Sequence, residues 1–181
     1  MVPDLCGWHT GWMTEDAACA VAHGEVPVEP GGRTLAAVFA SPVAEYLLRY
    51  GRDLGFRPLL IEPDAERAAS AGPDAVSAVP ELDADADVVV TDHHRAELGP
   101  VLREVLKHDV RWVGIMGNPR HVGPHVAALQ DLGVPDAEIK RVHRPIGLNI
   151  GSRTPPEIAI ATLAGLLADR NGKPGGFAFP V

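Results

Sequence analysis

Residues 34–61 read TLAAVFASPVAEYLLRYGRDLGFRPLLI, and this stretch decides the fold. Residues 34–39 are a short apolar run that predicts a buried strand. Ser41 is a typical N-cap residue, and Pro42 behind it suits the first position of a helix predicted over 42–54. A second strand is predicted over 57–61. A strand, a helix and a strand within about thirty residues predict two parallel strands joined by a right-handed crossover.

The same order of elements continues along the chain. Helix-type periodicity and apolar runs alternate, and a capping box of Thr154 and Glu157 opens the last helix. This alternation predicts a Rossmann-like, doubly wound α/β fold, with a mostly parallel sheet and helices on both faces. The remaining strands are predicted at 76–79, 87–91, 111–116 and 142–146, and the remaining helices at 97–108, 119–132 and 155–169.

The length of 181 residues suits a single domain of this class, which we predict at 33–172. Residues 1–32 are irregular, and the one element predicted there is a short helix from Thr14 to about His23. The tail at 173–181 is rich in glycine and proline and is predicted to be loose.

Composition excludes several classes of protein. Lys and Arg total 16 against 24 for Asp and Glu, and the net charge of -8 argues against a nucleic-acid-binding protein. Two cysteines are too few for a disulfide framework. We expect no membrane association and a cytoplasmic protein, because neither a signal peptide nor a run of about 18 apolar residues is found.

In doubly wound sheets, ligands bind beyond the carboxyl ends of the strands, so the loops there are the candidate sites. The first turn, FASPVA at 39–44, lacks the glycines that let a backbone approach a pyrophosphate, which argues against NAD(P) binding. Ser41 lies at the amino end of the following helix, where the helix dipole leaves a weak anion site. Glu62 ends the second strand, at the place of a ribose-binding acid.

The turn after the fifth strand is a second candidate, because it combines glycine, a predicted helix start and an arginine. Asn118 is predicted as the N-cap, and Gly117, Arg120 and His121 lie beside it. Free N–H groups, the helix dipole and a guanidinium at one point favour an anion-binding site.

Two more loops attract attention. His93 belongs to a cluster of polar residues, TDHH at 91–94, that ends an apolar strand. No zinc-type spacing and no G-x-S-x-G elbow accompany it, so we predict neither a metal site nor catalytic residues. The other loop precedes the last helix and is predicted to bind an anion or cofactor through Gly147, Gly151, Arg153 and Thr154.

Four segments resemble a known family. They read GFRPLLIEPDAE at 55–66, VVVTDHHRAE at 88–97, WVGIMGNPRH at 112–121 and PIGLNIGSRTPPEIAIATLAGLLA at 145–168. In this order they are similar to the Rossmann-like C-terminal domain of the xanthine dehydrogenase accessory family (XdhC/CoxI). In the first turn, the family has glycines where this chain has Ala40, Ser41 and Pro42. At the end of the second strand, the family has an aspartate where this chain has Glu62.

The resemblance implies an accessory protein in the maturation of a molybdenum hydroxylase, such as xanthine or carbon monoxide dehydrogenase. Such a protein binds the molybdenum cofactor (molybdopterin), which is anionic through its phosphate, and passes it to the apoenzyme. By motif, the binding role falls on His93, Gly117, Arg120, Gly147, Gly151 and Arg153.

Three hypotheses therefore stand. The first is the maturation protein just described, which binds a cofactor and is not itself an enzyme. The second is an NAD(P)-dependent oxidoreductase, against which the glycine-free turn argues. The third is a degenerate, non-catalytic Rossmann domain that acts through protein contacts, as a homodimer or other homo-oligomer.

Overall fold

The computed structural model describes residues 20–21, 23–24, 32–117, 120 and 122–176. The chain divides into two units, residues 1–30 and residues 31–181. In the first unit, residues 20–21 are helical and 23–24 form a turn. The remainder of the helix predicted from Thr14 lies outside the described residues.

The second unit alternates strands and helices in the predicted order. Its strands are β1 (Thr34–Val38), β2 (Arg57–Ile61), β3 (Ala75–Val76), β4 (Asp87–Val90), β5 (Trp112–Ile115) and β6 (Val142–His143). Its helices are α1 (Pro42–Asp53), α2 (Ala65–Ala71), α3 (Leu98–Val105), α4 (Pro124–Asp131), α5 (Asp136–Ile139) and α6 (Pro155–Arg170).

The strands form one parallel sheet in the order β3-β2-β1-β4-β5-β6. Val38 pairs with Ile61 on one side and with Val90 on the other, and Val90 pairs with Ile115. The carboxyl ends of these four central strands therefore share one edge. The strand order reverses between β1 and β4, which is the position where doubly wound sheets bind ligands. The predicted fold class is confirmed.

Alternation along β1 produces two cores, one on each face of the sheet. Leu35 and Ala37 pack with residues of α1 and α6, whereas Ala36 and Val38 pack with residues of α3 and α4. All four side chains are fully buried. Successive strand residues point to opposite faces, so a continuous apolar run is what a sheet covered on both sides requires.

Helix α6 begins as the sequence predicts. Thr154 is its N-cap, prolines occupy its first positions, and Glu157 completes the capping box. At 16 residues it is the longest helix in the part of the chain that the structure describes. No helix in those residues is both long enough and apolar enough to cross a membrane.

The predicted boundaries fail most clearly at α4. The prediction placed its start at 119 with Asn118 as N-cap, but the helix begins at Pro124, after the extended N-cap Gly123. A residue directly before a proline rarely adopts helical backbone angles. Gly123 is therefore extended, and the helix begins only at Pro124. The prediction also missed the short helices α2 and α5. In α2, the side chain of Asp64 caps the helix by accepting the Arg67 N–H at 3.0 Å.

Candidate functional site

The first turn, between β1 and α1, bends tightly without a glycine. Phe39 takes the bend with a φ of 73°, in the left-handed region that glycine usually occupies. Its carbonyl accepts a hydrogen bond from Thr91 Oγ1 at 2.9 Å. Ser41 Oγ donates to the same Thr91 oxygen at 3.0 Å and accepts the Ala44 N–H at 3.0 Å. The N-cap role predicted for Ser41 is confirmed, and its hydroxyl is engaged within the turn.

Glu62 turns back onto this first turn. Its carboxylate is completely buried. Oε2 accepts the Ala40 N–H at 2.8 Å, and Oε1 accepts the Asp64 N–H at 3.0 Å. In the position where the sequence predicted a ribose ligand, both oxygens therefore have partners from the protein itself.

Arg95, from the loop after β4, binds the same carboxylate with two nitrogens. Nη1 lies 3.3 Å from Glu62 Oε2, and Nη2 lies 3.1 Å from Oε1. Nη2 also donates to Glu97 Oε1 at 3.0 Å, and Arg67 Nε approaches Glu62 Oε1 at 3.4 Å. The Arg95 guanidinium lies 4.8 Å from the ring centre of Phe39. Two arginines, Arg95 and Arg67, therefore contact the buried Glu62 carboxylate.

The pKa values of this cluster keep it charged. Burial raises the pKa of Glu62, but the Ala40 N–H and Arg95 together outweigh burial, so the net pKa lies below the ordinary glutamate value. The hydrogen bond to Glu97, opposed by burial and reinforced by Glu62, raises the pKa of Arg95. At neutral pH the pair is therefore an ion pair.

A second site opens at the carboxyl ends of β4, β5 and β6. A cavity of about 470 Å³, here called the β4–α4 cleft, lies between the loop after β4 and the start of α4. Its size falls within the usual range for small-molecule sites, roughly 300–1,000 Å³. It is lined by His93, His94, Arg95, Ala96, Leu98, Gly99, Val122, Pro124, Ala128 and Arg144.

Gly117 makes room for Arg144 at this cleft. A Cβ on Gly117 would lie 2.6 Å from Arg144 Nη2, and a Cβ on Gly123 would lie 3.1 Å from its Cδ. A Cβ at Gly117 would therefore force the Arg144 head group to move, whereas a Cβ at Gly123 would mainly collide with the His125 ring. Sequence reasoning selected Gly117 but missed Arg144, for which the available signal was its place directly before Pro145 of the last resemblance segment.

His93 and His125 add polar groups without adding charge at neutral pH, because the pKa of each is lowered. The rings of His93 and His94 lie 4.1 Å apart. Burial lowers the pKa of His93, and His94 and Arg144 lower it further. Burial and Arg144 also lower the pKa of His125, which is 5% exposed. Within the described residues, no three His, Cys, Asp or Glu side chains are grouped to hold a metal ion.

The amino ends of α4 and α6 differ in charge. Helix α4 has no acidic residue in its first turn and no side-chain cap. At α6, by contrast, Glu157 Oε2 accepts the N–H groups of Arg153 and Thr154 at 2.7 and 3.1 Å. An anion at α6 would meet this carboxylate, whereas α4 presents its positive dipole end without one.

The glycines of the loop before α6 serve different purposes. Gly147 has a φ of 83°, and a Cβ there would lie 3.1 Å from the backbone of Ala161 in α6. Next to it, the Leu148 N–H donates to the Ala161 carbonyl at 2.9 Å. Gly151 has a φ of 71° but open space around it. Close packing on α6 therefore accounts for Gly147, and backbone conformation alone for Gly151.

The eleven predicted site residues are distributed over several places. His93 lines the β4–α4 cleft, and Gly117 contacts its Arg144. Ser41 and Glu62 belong to the first turn, and Arg120 is an exposed turn residue. Asn118 and His121 lie outside the described residues. The loop before α6 carries Gly147, Gly151, Arg153 and Thr154, and among the described residues none of these four lines the cleft.

The parallel order β3-β2-β1-β4-β5-β6, with a cleft beyond the ends of β4 and β5, defines a Rossmann-like domain. Within this class, the chain belongs to the XdhC Rossmann domain family, whose model matches residues 35–166. The family resemblance drawn from the sequence is confirmed.

Two comparisons add to this assignment. A crystal structure described as a xanthine dehydrogenase from Bacillus halodurans shares the fold, with a TM-score of 0.60 and 22% sequence identity. The match covers 78% of this chain and 45% of that one. The uncharacterized protein YqeB of Escherichia coli (strain K12) is 39% identical over 75 residues, 41% of this chain and 14% of that protein. The chain thus spans less than half the length of either.

Proposed function

We propose that this chain is a xanthine dehydrogenase accessory protein that binds an anionic cofactor of the molybdopterin type in the β4–α4 cleft. The observation that carries the proposal is Arg144, which lines the cleft and for whose head group the backbone at Gly117 makes room. Membership of the XdhC Rossmann domain family supports the accessory role.

The residues of the cleft fit such a ligand. A guanidinium offers paired N–H donors that match the oxygens of a phosphate. Helix α4 directs its positive dipole end toward the same region, without a carboxylate in its first turn. His93 has a lowered pKa, so it is mainly neutral at pH 7 and adds a hydrogen-bonding group. The molybdenum chemistry itself belongs to the cofactor.

The biological partner in this role is a molybdenum hydroxylase apoenzyme, which receives the cofactor. A transfer protein needs a site that can open, and a cleft formed by three loops at one edge of a sheet suits this requirement better than a closed cavity. A cytoplasmic location and a homo-oligomeric state remain predictions.

The proposal is tested by titrating the purified chain with molybdopterin and measuring the heat of binding by calorimetry. Arg144→Ala should weaken binding by roughly 10- to 100-fold, because a charge-assisted hydrogen bond contributes about 1.5–3 kcal/mol. Gly117→Ala should also weaken binding, since its Cβ would displace the guanidinium from its observed position.

Two matched controls accompany these variants. Arg57→Ala removes an exposed arginine at the start of β2, and Gly32→Ala adds a Cβ where no atom lies within 4 Å. Both controls should bind like the wild type. Wild-type affinity in Arg144→Ala would show that the cleft is not the site, and no binding by the wild type would reject the proposed function.

A further inference from the structure

The first turn of this domain already holds an anion of its own. In dinucleotide-binding folds, the pyrophosphate binds backbone N–H groups after the first strand, and an acid at the end of the second strand binds a ribose. Glu62 follows β2 directly, but its Oε2 accepts the Ala40 N–H at 2.8 Å. The acid in the ribose position therefore occupies a donor in the pyrophosphate position.

Two further N–H groups of this turn also have acceptors within the protein. Pro42 has none, and the Ala44 N–H donates to Ser41 Oγ at 3.0 Å. The Glu45 N–H donates to the Ser41 carbonyl at 3.1 Å. A pyrophosphate entering here would compete with these partners and would meet an ionised carboxylate of like charge.

Glu62 cannot easily withdraw, because Arg95 holds both of its oxygens at 3.1 and 3.3 Å. Moving the carboxylate away would leave the half-buried Arg95 guanidinium with Glu97 as its remaining acidic partner, which is unfavourable. Arg95 also lines the β4–α4 cleft. The same side chain therefore fixes the anion of the first turn and forms the wall of the cleft.

We infer that this chain selects a ligand that ends in a single phosphate and rejects dinucleotides, with Arg95 as the positioning residue that keeps Glu62 in the first turn. The binding of the single phosphate in the β4–α4 cleft rests on the proposed function. The exclusion of dinucleotides stands on the first turn alone.

Binding titrations of the full chain test this inference with three probes. They are molybdopterin, a dinucleotide form of the same pterin in which a nucleoside monophosphate is joined through a pyrophosphate, and NAD. We expect the dinucleotide form to bind at least about tenfold more weakly than molybdopterin, and NAD not to saturate at millimolar concentration, because like charges meet in the first turn. Equal or tighter binding of the dinucleotide form, or saturable NAD binding, would overturn the inference.

The failure of the proposed function has a different signature. If molybdopterin itself does not bind, the proposed function fails and the selection of a single phosphate fails with it. If molybdopterin and the dinucleotide form bind equally, the proposed function survives and only the selection fails.

A double variant, Glu62→Gln with Arg95→Met, removes both charges from the first turn. If it folds, the discrimination between the two pterin forms should shrink by at least about fivefold, since the like-charge barrier is gone. The matched control, Arg57→Met with Asp83→Asn, removes an exposed ion pair of 3.6 Å and should leave the discrimination unchanged. An unchanged ratio in the folded first-turn variant would overturn the role of Arg95. If that variant does not fold, the wild-type ratio still decides the selection.

Discussion

Arg95 binds Glu62 through two nitrogens, at 3.3 and 3.1 Å, and the Glu62 carboxylate is 0% exposed. Burying a charged pair is itself costly, so this contact is weak evidence for high stability. Removing one partner is a different matter, because the other charge then stays in place with its strongest counter-charge lost. The pair is therefore best understood as a conformational constraint on the first turn.

The first prediction concerns the stability of this pair. Arg95→Met should lower the free energy of unfolding by about 3 kcal/mol, the lower end of the range for a broken buried pair, because Glu62 loses the guanidinium but keeps the Ala40 and Asp64 N–H groups. Urea denaturation measures the change. Arg57→Met, at an exposed ion pair, is the control and should cost less than about 1 kcal/mol.

Combining Arg95→Met with Glu62→Gln completes a double-mutant cycle. The double variant should lose clearly less stability than the sum of the two single changes, because the residues are in direct contact. Additive losses would show that the contact is not energetically coupled.

The second prediction concerns acid. The pKa of Glu62 in the folded protein is lowered, so its contribution to stability is complete above the unfolded value of about 4.3 and is lost as the pH falls through the folded pKa. The difference in unfolding free energy between wild type and Glu62→Gln should therefore be constant from pH 7 to about 5 and shrink below about 4.

Urea denaturation across this pH range gives the measurement. Other carboxylates with lowered pKa values, such as Glu157, occur in both proteins, so most of their effect cancels in the difference. A difference that stays constant down to about pH 3 would show that Glu62 does not ionise as its partners indicate.

The sequence predicted what is local and missed what is distant. Ser41 and Pro42 predict the start of α1, because helix capping depends on residues only a few positions apart. The ion pair of Glu62 and Arg95 joins residues 33 positions apart, and no periodicity carries that information. The sequence therefore placed Glu62 at the correct strand end but gave it an external partner instead of an internal one.

A local signal was also overlooked. The Gly123–Pro124 pair marks the true start of α4, yet the earlier Asn118 and Pro119 look equally suitable as a helix start. This choice decides the site, since the helix end that borders the β4–α4 cleft lies five residues later than predicted. Arg144 was missed because its link to Gly117 exists only in three dimensions.

The third prediction separates packing from backbone conformation in the loop before α6. Gly151→Ala should cost about 1–2 kcal/mol for the left-handed backbone alone, because no atom lies within 4 Å of the new Cβ. Gly147→Ala adds a contact of 3.1 Å with the helix backbone at Ala161, so it should cost a further 1–3 kcal/mol, roughly the range for overpacking. Thermal or urea unfolding of both variants gives the comparison, and equal losses would exclude tight packing at Gly147.

The last prediction concerns the strained bend at Phe39, whose φ is 73°. Phe39→Ala and Phe39→Gly both remove a fully buried ring, which costs about 3–5 kcal/mol and outweighs any relief of strain. Glycine alone also removes the penalty of a left-handed backbone, which stabilises the protein by about 1–2 kcal/mol. Its greater freedom in the unfolded chain costs about 0.5–1 kcal/mol in return. Phe39→Gly should therefore equal or exceed Phe39→Ala in stability.

At the adjacent β1 residue, Val38→Gly should be less stable than Val38→Ala, because that strand position carries no such strain. Urea denaturation of the four variants decides the matter, and the same order at both positions would show that the bend at Phe39 stores no strain.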